Sequence, residues 1–385
     1  MTKIGKVQIA GGGIAGLVAG VALRRQGVEV EIHERYDRLQ GRATGFSIWA
    51  YAIKRLIELG FDRERLDRIG REIVESHIVD DHGRPLLTLP IHEASEQIGA
   101  PSMDVDRRRL QEELIDLLGA DRYRFGSEVV GVQHEDGRIA LALADGGCAY
   151  GDLVLGGDGI DSLVRDQALG QTVDLARSRY AVIEGIADLD PDRLPVGHHQ
   201  QVWGRRARFG VGWVAEGRAR WFLGGRSIAL ADDPELTRAD LLERVAGLPE
   251  IVAAAIAGTA EDQIVRTDVR HGYPPKRWHG DRVVLLGDAA HTLSPFAGMG
   301  ACSTIEDVGH LVRLLSERDD LSDALAAFQA EREGDVTRIE KTGRRNEVMM
   351  MPSNPLLYWG RNALFSHTPD EKLMEIAAGM TSGEG

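Results

Sequence analysis

The order of apolar and polar positions along the chain predicts a strand, a tight turn, a helix and a second strand at its start. Lys6–Ala10 is an extended apolar run, Ile14–Gln26 is small and apolar enough to be a buried helix, and Val28–His33 is again strand-like. Gly27 stands where a helix C-cap belongs. Such a unit is a βαβ crossover, right-handed and with parallel strands. Residues 48–59 are predicted helical, with Ile48, Ala52, Leu56 and Leu59 on one face and Gly60 as the stop.

From 73 the period changes to two. Ile73–Val79 and Pro85–Leu89 flank the turn Asp81-His82-Gly83 and read as a hairpin. Arg107–Leu118 is an amphipathic helix with Leu110, Leu114, Leu117 and Leu118 facing inward. Turns at Glu135-Asp136-Gly137 and Asp145-Gly146-Gly147 separate short strands between 127 and 156. The stretch 178–230 is rich in β segments and carries Trp203, Trp213 and Trp221. A helical piece is predicted at 237–257, a buried strand at Val283–Leu286, and helices at 301–316 and 321–350.

The α/β segments thus enclose β-rich ones twice. The expected fold class is α/β: a Rossmann-like nucleotide domain interleaved with a β-sheet domain, followed by a helical C-terminus. Residues 1–72, 102–177 and 276–345 would form the first domain, 73–101 and 178–275 the second, and 346–385 a tail.

Composition narrows the partners. The 46 basic and 60 acidic residues give a formal charge of −14, which repels nucleic acid and anionic membrane surfaces. The two cysteines, Cys148 and Cys302, stand far apart in no metal-ligand spacing, so no disulfide or zinc site is expected and a reducing compartment fits. The twelve histidines suggest no metal role. The N-terminus lacks the pattern of a signal peptide, and no apolar run reaches the roughly 18 residues of a membrane helix, so the protein is expected in the cytoplasm.

The first chemical motif is Gly11-Gly12-Gly13-Ile14-Ala15-Gly16, which fits G-x-G-x-x-G between a strand and a helix. Gly11 permits the turn, Gly13 lets a pyrophosphate approach the backbone, and Gly16 lets helix and strand pack closely. The phosphates would lie at the helix N-terminus, and Glu34, 18 positions beyond Gly16, would hold a ribose. FAD and NAD share this half. Leu286-Gly287-Asp288-Ala289 separates them, because a carboxylate after a strand suits ribityl hydroxyls. It continues as Pro295-Phe296-Ala297-Gly298-Met299-Gly300, with a helix from about Ala301 whose N–H groups suit a negatively charged flavin edge. FAD is therefore the expected cofactor.

A third motif, Asp158-Gly159-Ile160-Asp161-Ser162-Leu163-Val164-Arg165, follows another strand. With the other two it resembles the single-component FAD-dependent monooxygenases, the class A aromatic hydroxylases such as para-hydroxybenzoate and salicylate hydroxylases. The resemblance spans residues 5 to about 345. It implies that Asp158, Gly159 and Arg165 serve FAD and a transiently bound NAD(P)H. It also implies that Arg42, Ser47, Arg107 in R-x-x-L spacing with Leu110, and Val130 lie near the cofactor. Arg35 stands beside Glu34 in the same FAD site. Two departures stand out: Met299 where many relatives carry glutamine, and Tyr51 where asparagine is common.

The resemblance further implies reduction by NAD(P)H, reaction with O₂, and hydroxylation of a small aromatic or polyketide-like substrate through a flavin C4a-hydroperoxide. A dry pocket is then needed, and the β-rich stretch 178–230, with its three tryptophans, is the candidate for its cover. Arg208 is the candidate for binding an anionic substrate group, with an exposed arginine on a sheet face as the alternative reading. His198-His199 reads as a solvated loop, His291 as local packing, and Met349–Met351 as core filling. Two other readings stay open: a flavin oxidase or reductase on the same scaffold, and a flavoprotein without net redox chemistry. A monomer or homodimer is expected.

Overall fold

The computed structural model describes residues 4–40, 44–135, 138–173, 175–205, 207–225, 236–271 and 274–384. Its central sheet has the strand order His279–Gly280, Val283–Leu285, Leu153–Gly156, Lys6–Ala10, Glu29–His33 and Tyr123–Arg124. All neighbours are parallel except the first pair. Strands far apart in sequence thus lie side by side, with Ile9 opposite both Leu155 and Ile32. Val7, Ile9, Val154, Leu155 and Val284 are buried, as strands covered on both faces require. Helices Ile14–Arg25, Arg107–Leu118 and Gly300–Glu317 pack together on one face. The strands Val129–Glu135, Arg138–Leu143 and Cys148–Gly151 form a small sheet against the other.

A seven-stranded sheet runs in the order Val265–His271, Ala176–Asp188, Arg218–Gly225, Ala207–Ala215, His198–Trp203, Glu75–Asp80 and Pro85–Pro90. Its only parallel pair is His198–Trp203 with Glu75–Asp80. Side chains alternate between its faces. Phe209, Val211, Trp213, Trp221 and Leu223 form one apolar core with Leu241, Val252 and Ile256 of the helices Arg238–Arg244 and Glu250–Ala257. The alternate positions, including Arg208, Gly210, Gly212, Arg220, Phe222 and Gly224, turn the other way. A Cβ on Gly212 would run into Asp104, and one on Gly224 would approach Phe296. That face is directed at the central sheet's loops.

Three expectations change here. Trp213 and Trp221 bury on the far side of the sheet, whereas Trp203 is in register with Arg208 on the inner face, donates to Gln201 Oε1 at 3.0 Å and packs edge-on against Phe365 with centroids 5.8 Å apart, so one of the three tryptophans lies on that face. His198 and His199 belong to a strand, and His199 is buried. The helix expected over 48–59 begins at Ala50, because Gly45–Ile48 pairs with Met103–Asp106. That pairing, completed by Gly70–Glu72, makes a three-stranded sheet between the two large ones. Its partners are too distant in sequence for periodicity to reveal them.

The chain ends in helices Leu321–Met350, Pro355–Phe365 and Asp370–Ser382. No helix among the described residues is long and apolar enough to cross a membrane.

Candidate active site

The three glycine-bearing motifs converge on the start of the first helix. A Cβ on Gly11, whose φ is +96°, would strike the Gly157 carbonyl, and one on Gly16 would strike the Gly11 carbonyl. Gly157 and Gly287 lie close enough that a Cβ on either would come within 3.3 and 3.5 Å of the Ala15 methyl. Parallel pairing of Lys6–Ala10, Leu153–Gly156 and Val283–Leu285 delivers all three turns to the same end of the sheet. This is where open α/β sheets bind ligands.

A cleft of about 450 Å³ opens there, lined among others by Gly11, Gly13, Glu34, Arg35, Arg107, Asp158 and Gly159. A Cβ on Gly13, Gly159, Gly298 or Gly300 would meet no protein atom within 4 Å. These glycines leave open space beside the backbone. Glu34 sits at the rim, its carboxylate accepting from the backbone N–H of Gly12 at 2.9 Å and of Tyr36 at 3.1 Å. Tyr123 and Gln111 donate to the Gly12 carbonyl at 3.0 and 3.3 Å and hold the turn in shape. Of three consecutive arginines only Arg107 lines the cleft; Arg108 pairs with Glu112, and Arg109 donates to the Arg68 carbonyl.

Asp158 supplies the sharpest sign of a missing partner. Its Oδ2 accepts from Val164 N–H at 3.1 Å, whereas Oδ1 is buried without a hydrogen bond. Burial pushes this carboxyl above its ordinary value, against the donors that lower it. Arg165 acts from behind, donating to the Ile160 carbonyl at 3.0 Å and so bracing the Asp158–Ser162 turn. Asp288 follows the strand Val283–Leu285 and opens to solvent, although the surrounding protein raises its carboxyl while His291 and Arg107 pull it down. Asp307 fixes the turn beneath it, accepting from Gly287 N–H at 3.1 Å, His291 Nε2 at 2.6 Å and Arg332 Nε at 2.9 Å. An orphaned carboxylate oxygen, open glycine backbone and a cation beside a carboxylate fit a dinucleotide of the FAD type.

The second stretch, Pro295 to Ala301, forms a turn and the start of helix Gly300–Glu317. Gly298 has φ +66°. Trp49 ties this turn in place, its Nε1 donating to the Gly298 carbonyl at 3.2 Å. Met299 is buried, and its backbone carbonyl accepts from Ser303 N–H at 2.8 Å. Ile14 and Ala15 open the first helix. Val130 is exposed and presents its carbonyl to Gln167, while Val129 lines the cleft. Arg42 lies outside the described residues.

Sequence reasoning missed the cluster that joins the sheets. Asp104, fully buried, accepts from Ser47 Oγ at 2.8 Å, from His199 Nδ1 at 2.8 Å and from Arg220 Nε at 2.9 Å. Burial alone would raise the Asp104 carboxyl, but Arg220 and His199 outweigh it and hold it far below the usual range. Ser47 is thus engaged with Asp104 and Arg220. Arg208 differs from Arg220. It is 9% exposed, its Nε and Nη2 donate to Gln201 Oε1 at 3.0 and 2.7 Å, and no carboxylate among the described residues lies within ion-pair reach. Its guanidinium stands 5.2 Å from the Phe222 ring centre. The signal for Arg208 was its place in a strand; nothing local marked Asp104.

Residues 5–341 match the family described as FAD binding domain. The chain is 36% identical over 326 residues to the aurachin C monooxygenase/isomerase of Stigmatella aurantiaca, covering 85% of this chain and 84% of that protein. It is 28% identical to the FAD-dependent urate hydroxylase of Klebsiella pneumoniae, with 85% of each covered. Among solved structures, Klebsiella pneumoniae HpxO complexed with FAD and uric acid superposes with a TM-score of 0.89 at 25% identity, over 98% of this chain and 97% of that one. With the cleft, its glycines and its unpaired Asp158 oxygen in place, the chain belongs to the FAD-binding-domain family and is one of the single-component FAD-dependent monooxygenases.

Proposed function

We propose that the chain hydroxylates a small aromatic substrate carrying an ionised oxygen, with Arg208 as its anion-binding group. The observation that carries this is the buried Arg208 guanidinium, whose hydrogen bonds among the described residues go to a neutral amide. Burial of an uncompensated cation is unfavourable, so the site is completed by an anion. Phe222 offers a flat apolar surface beside it, and the ring of Phe296 meets that of Tyr180 edge-on at 5.2 Å where the inner face approaches the Gly298 turn. A substrate held there sits between the seven-stranded sheet and the flavin-side loop, away from bulk water.

In this reading Gly11–Gly16 and Glu34 hold the adenosine half of FAD, Arg107 and Asp158 the middle, and Asp288 the ribityl chain. The N-terminus of helix Gly300–Glu317 faces the ring edge, where its free N–H groups favour negative charge. The chemistry FAD supplies when bound is reduction by NAD(P)H and activation of O₂ for insertion of one oxygen atom. The discontinuous division at 72, 102, 177 and 276 belongs to the same proposal, as the boundary between cofactor-holding and substrate-holding parts. Oxidation of NAD(P)H with and without a panel of phenols and hydroxylated heteroaromatics, with product mass and H₂O₂ followed, tests it. A product one oxygen heavier supports the reading; turnover without oxygen gain would sink it.

A further inference from the structure

The parallel pairing of two strands gathers a second chemical cluster, away from the cleft. Glu75 and His77 stand two apart on one strand, and His198 lies opposite Glu75 on the next. All three therefore project from the same face of the seven-stranded sheet, the one opposite His199 and Arg208. Each is half-exposed. We propose that Glu75, His77 and His198 bind a divalent transition-metal ion of the zinc type, through Glu75 Oε2 and the two Nε2 atoms, and staple these strands.

The geometry is close to that of a filled site. His77 Nε2 lies 2.9 Å and His198 Nε2 3.9 Å from Glu75 Oε2, and all three ligand atoms fall within 4.8 Å of one another. Metal–ligand bonds of about 2.0–2.2 Å in a tetrahedron place ligand atoms about 3.3 Å apart, so small side-chain rotations close the set. His77 Nε2 is buried without a hydrogen-bond partner despite its distance from the carboxylate. An in-line hydrogen bond is not what holds these atoms together, and a shared cation would satisfy both. His77 Nδ1 lies 3.4 Å from Thr88 Oγ1, which can accept its proton and leave the Nε2 lone pair for a metal.

The two imidazole rings stack with centroids 4.4 Å apart. Two nitrogens and one carboxylate oxygen suit zinc, and the solvent side leaves room for water as a further ligand. The expectation of no metal site rested on local spacing, which cannot register ligands brought together by pairing of distant strands.

The test uses the FAD-loaded, tag-free full chain, stripped with chelator and dialysed against ZnCl₂. Wild type should retain about one zinc more per chain than His77→Gln or His198→Gln, and each variant should bind at least about 10-fold more weakly. His82→Gln, an exposed histidine outside the cluster, should bind as wild type does. Co²⁺ in place of zinc should give visible d–d bands in wild type that the two cluster variants lose. All three variants should keep their flavin colour, which separates loss of metal from loss of fold. Equal zinc content in wild type and His77→Gln, or loss of binding in His82→Gln, would overturn the assignment.

Discussion

Replacing Arg208 by methionine asks whether this cation serves binding or folding. Its Nε and Nη2 share one acceptor, Gln201 Oε1, which also accepts from Trp203 Nε1 at 3.0 Å and so stays satisfied when Arg208 is gone. Burial, with Arg220 adding to it, pushes the guanidinium down to about 10, the mark of a cation held without its counter-charge. Methionine fills similar volume and removes that desolvation cost, so the Tm should hold or rise. An anionic substrate would lose a charge-assisted contact of about 1.5–3 kcal/mol. At about 1.4 kcal/mol per factor of ten, that is roughly 10- to 150-fold in Kd. Flavin absorbance read during titration with the substrate found in the phenol panel gives Kd, and a thermal melt gives Tm. Arg220→Met is the matched control. There the buried Asp104 loses its arginine and keeps only Ser47 and His199 as partners among the described residues, and about 3–5 kcal/mol of stability should go. The reasoning fails if Arg208→Met lowers Tm by more than about 5 °C while substrate affinity is unchanged.

Asp288→Ala should purify colourless, and a variant with normal yellow FAD would refute the placement of the ribityl chain. Gly13→Ala should leave the melt of the apoprotein unchanged but weaken FAD binding, because its Cβ meets no protein atom. Gly16→Ala should destabilise the fold itself, because its Cβ meets the Gly11 carbonyl; equal behaviour of the two in melts and FAD titrations would remove the distinction. Native protein should show one thiol to Ellman's reagent and two after unfolding, since Cys148 is exposed while burial pushes Cys302 up to about 12. Burial favours a raised Asp307 carboxyl, but His291 and Arg332 outweigh it and hold it below its ordinary value. Its folded value is thus lower than its unfolded one, so its stabilisation is present above about pH 4 and lost as pH falls through the folded value. The Tm of Asp307→Asn should accordingly depend less on pH below about 4 than that of wild type.

Local patterns carried the nucleotide-binding half because its requirements are local. A turn that admits only Gly11, a helix that needs Gly16 against a carbonyl, and a carboxylate at a strand end are each written within a few positions. The helices Arg107–Leu118 and Leu321–Met350 were legible for the same reason, since their apolar spacing repeats along one segment. Tertiary structure decided what lies between distant strands. It placed Trp213 and Trp221 on the outer face, set Asp104 between Ser47, His199 and Arg220, and left Arg208 with no carboxylate partner among the described residues. It also brought Glu75 and His77 beside His198. Strand register determines which face a side chain takes, and register between remote segments is settled by the packing of the whole sheet rather than by any stretch of sequence.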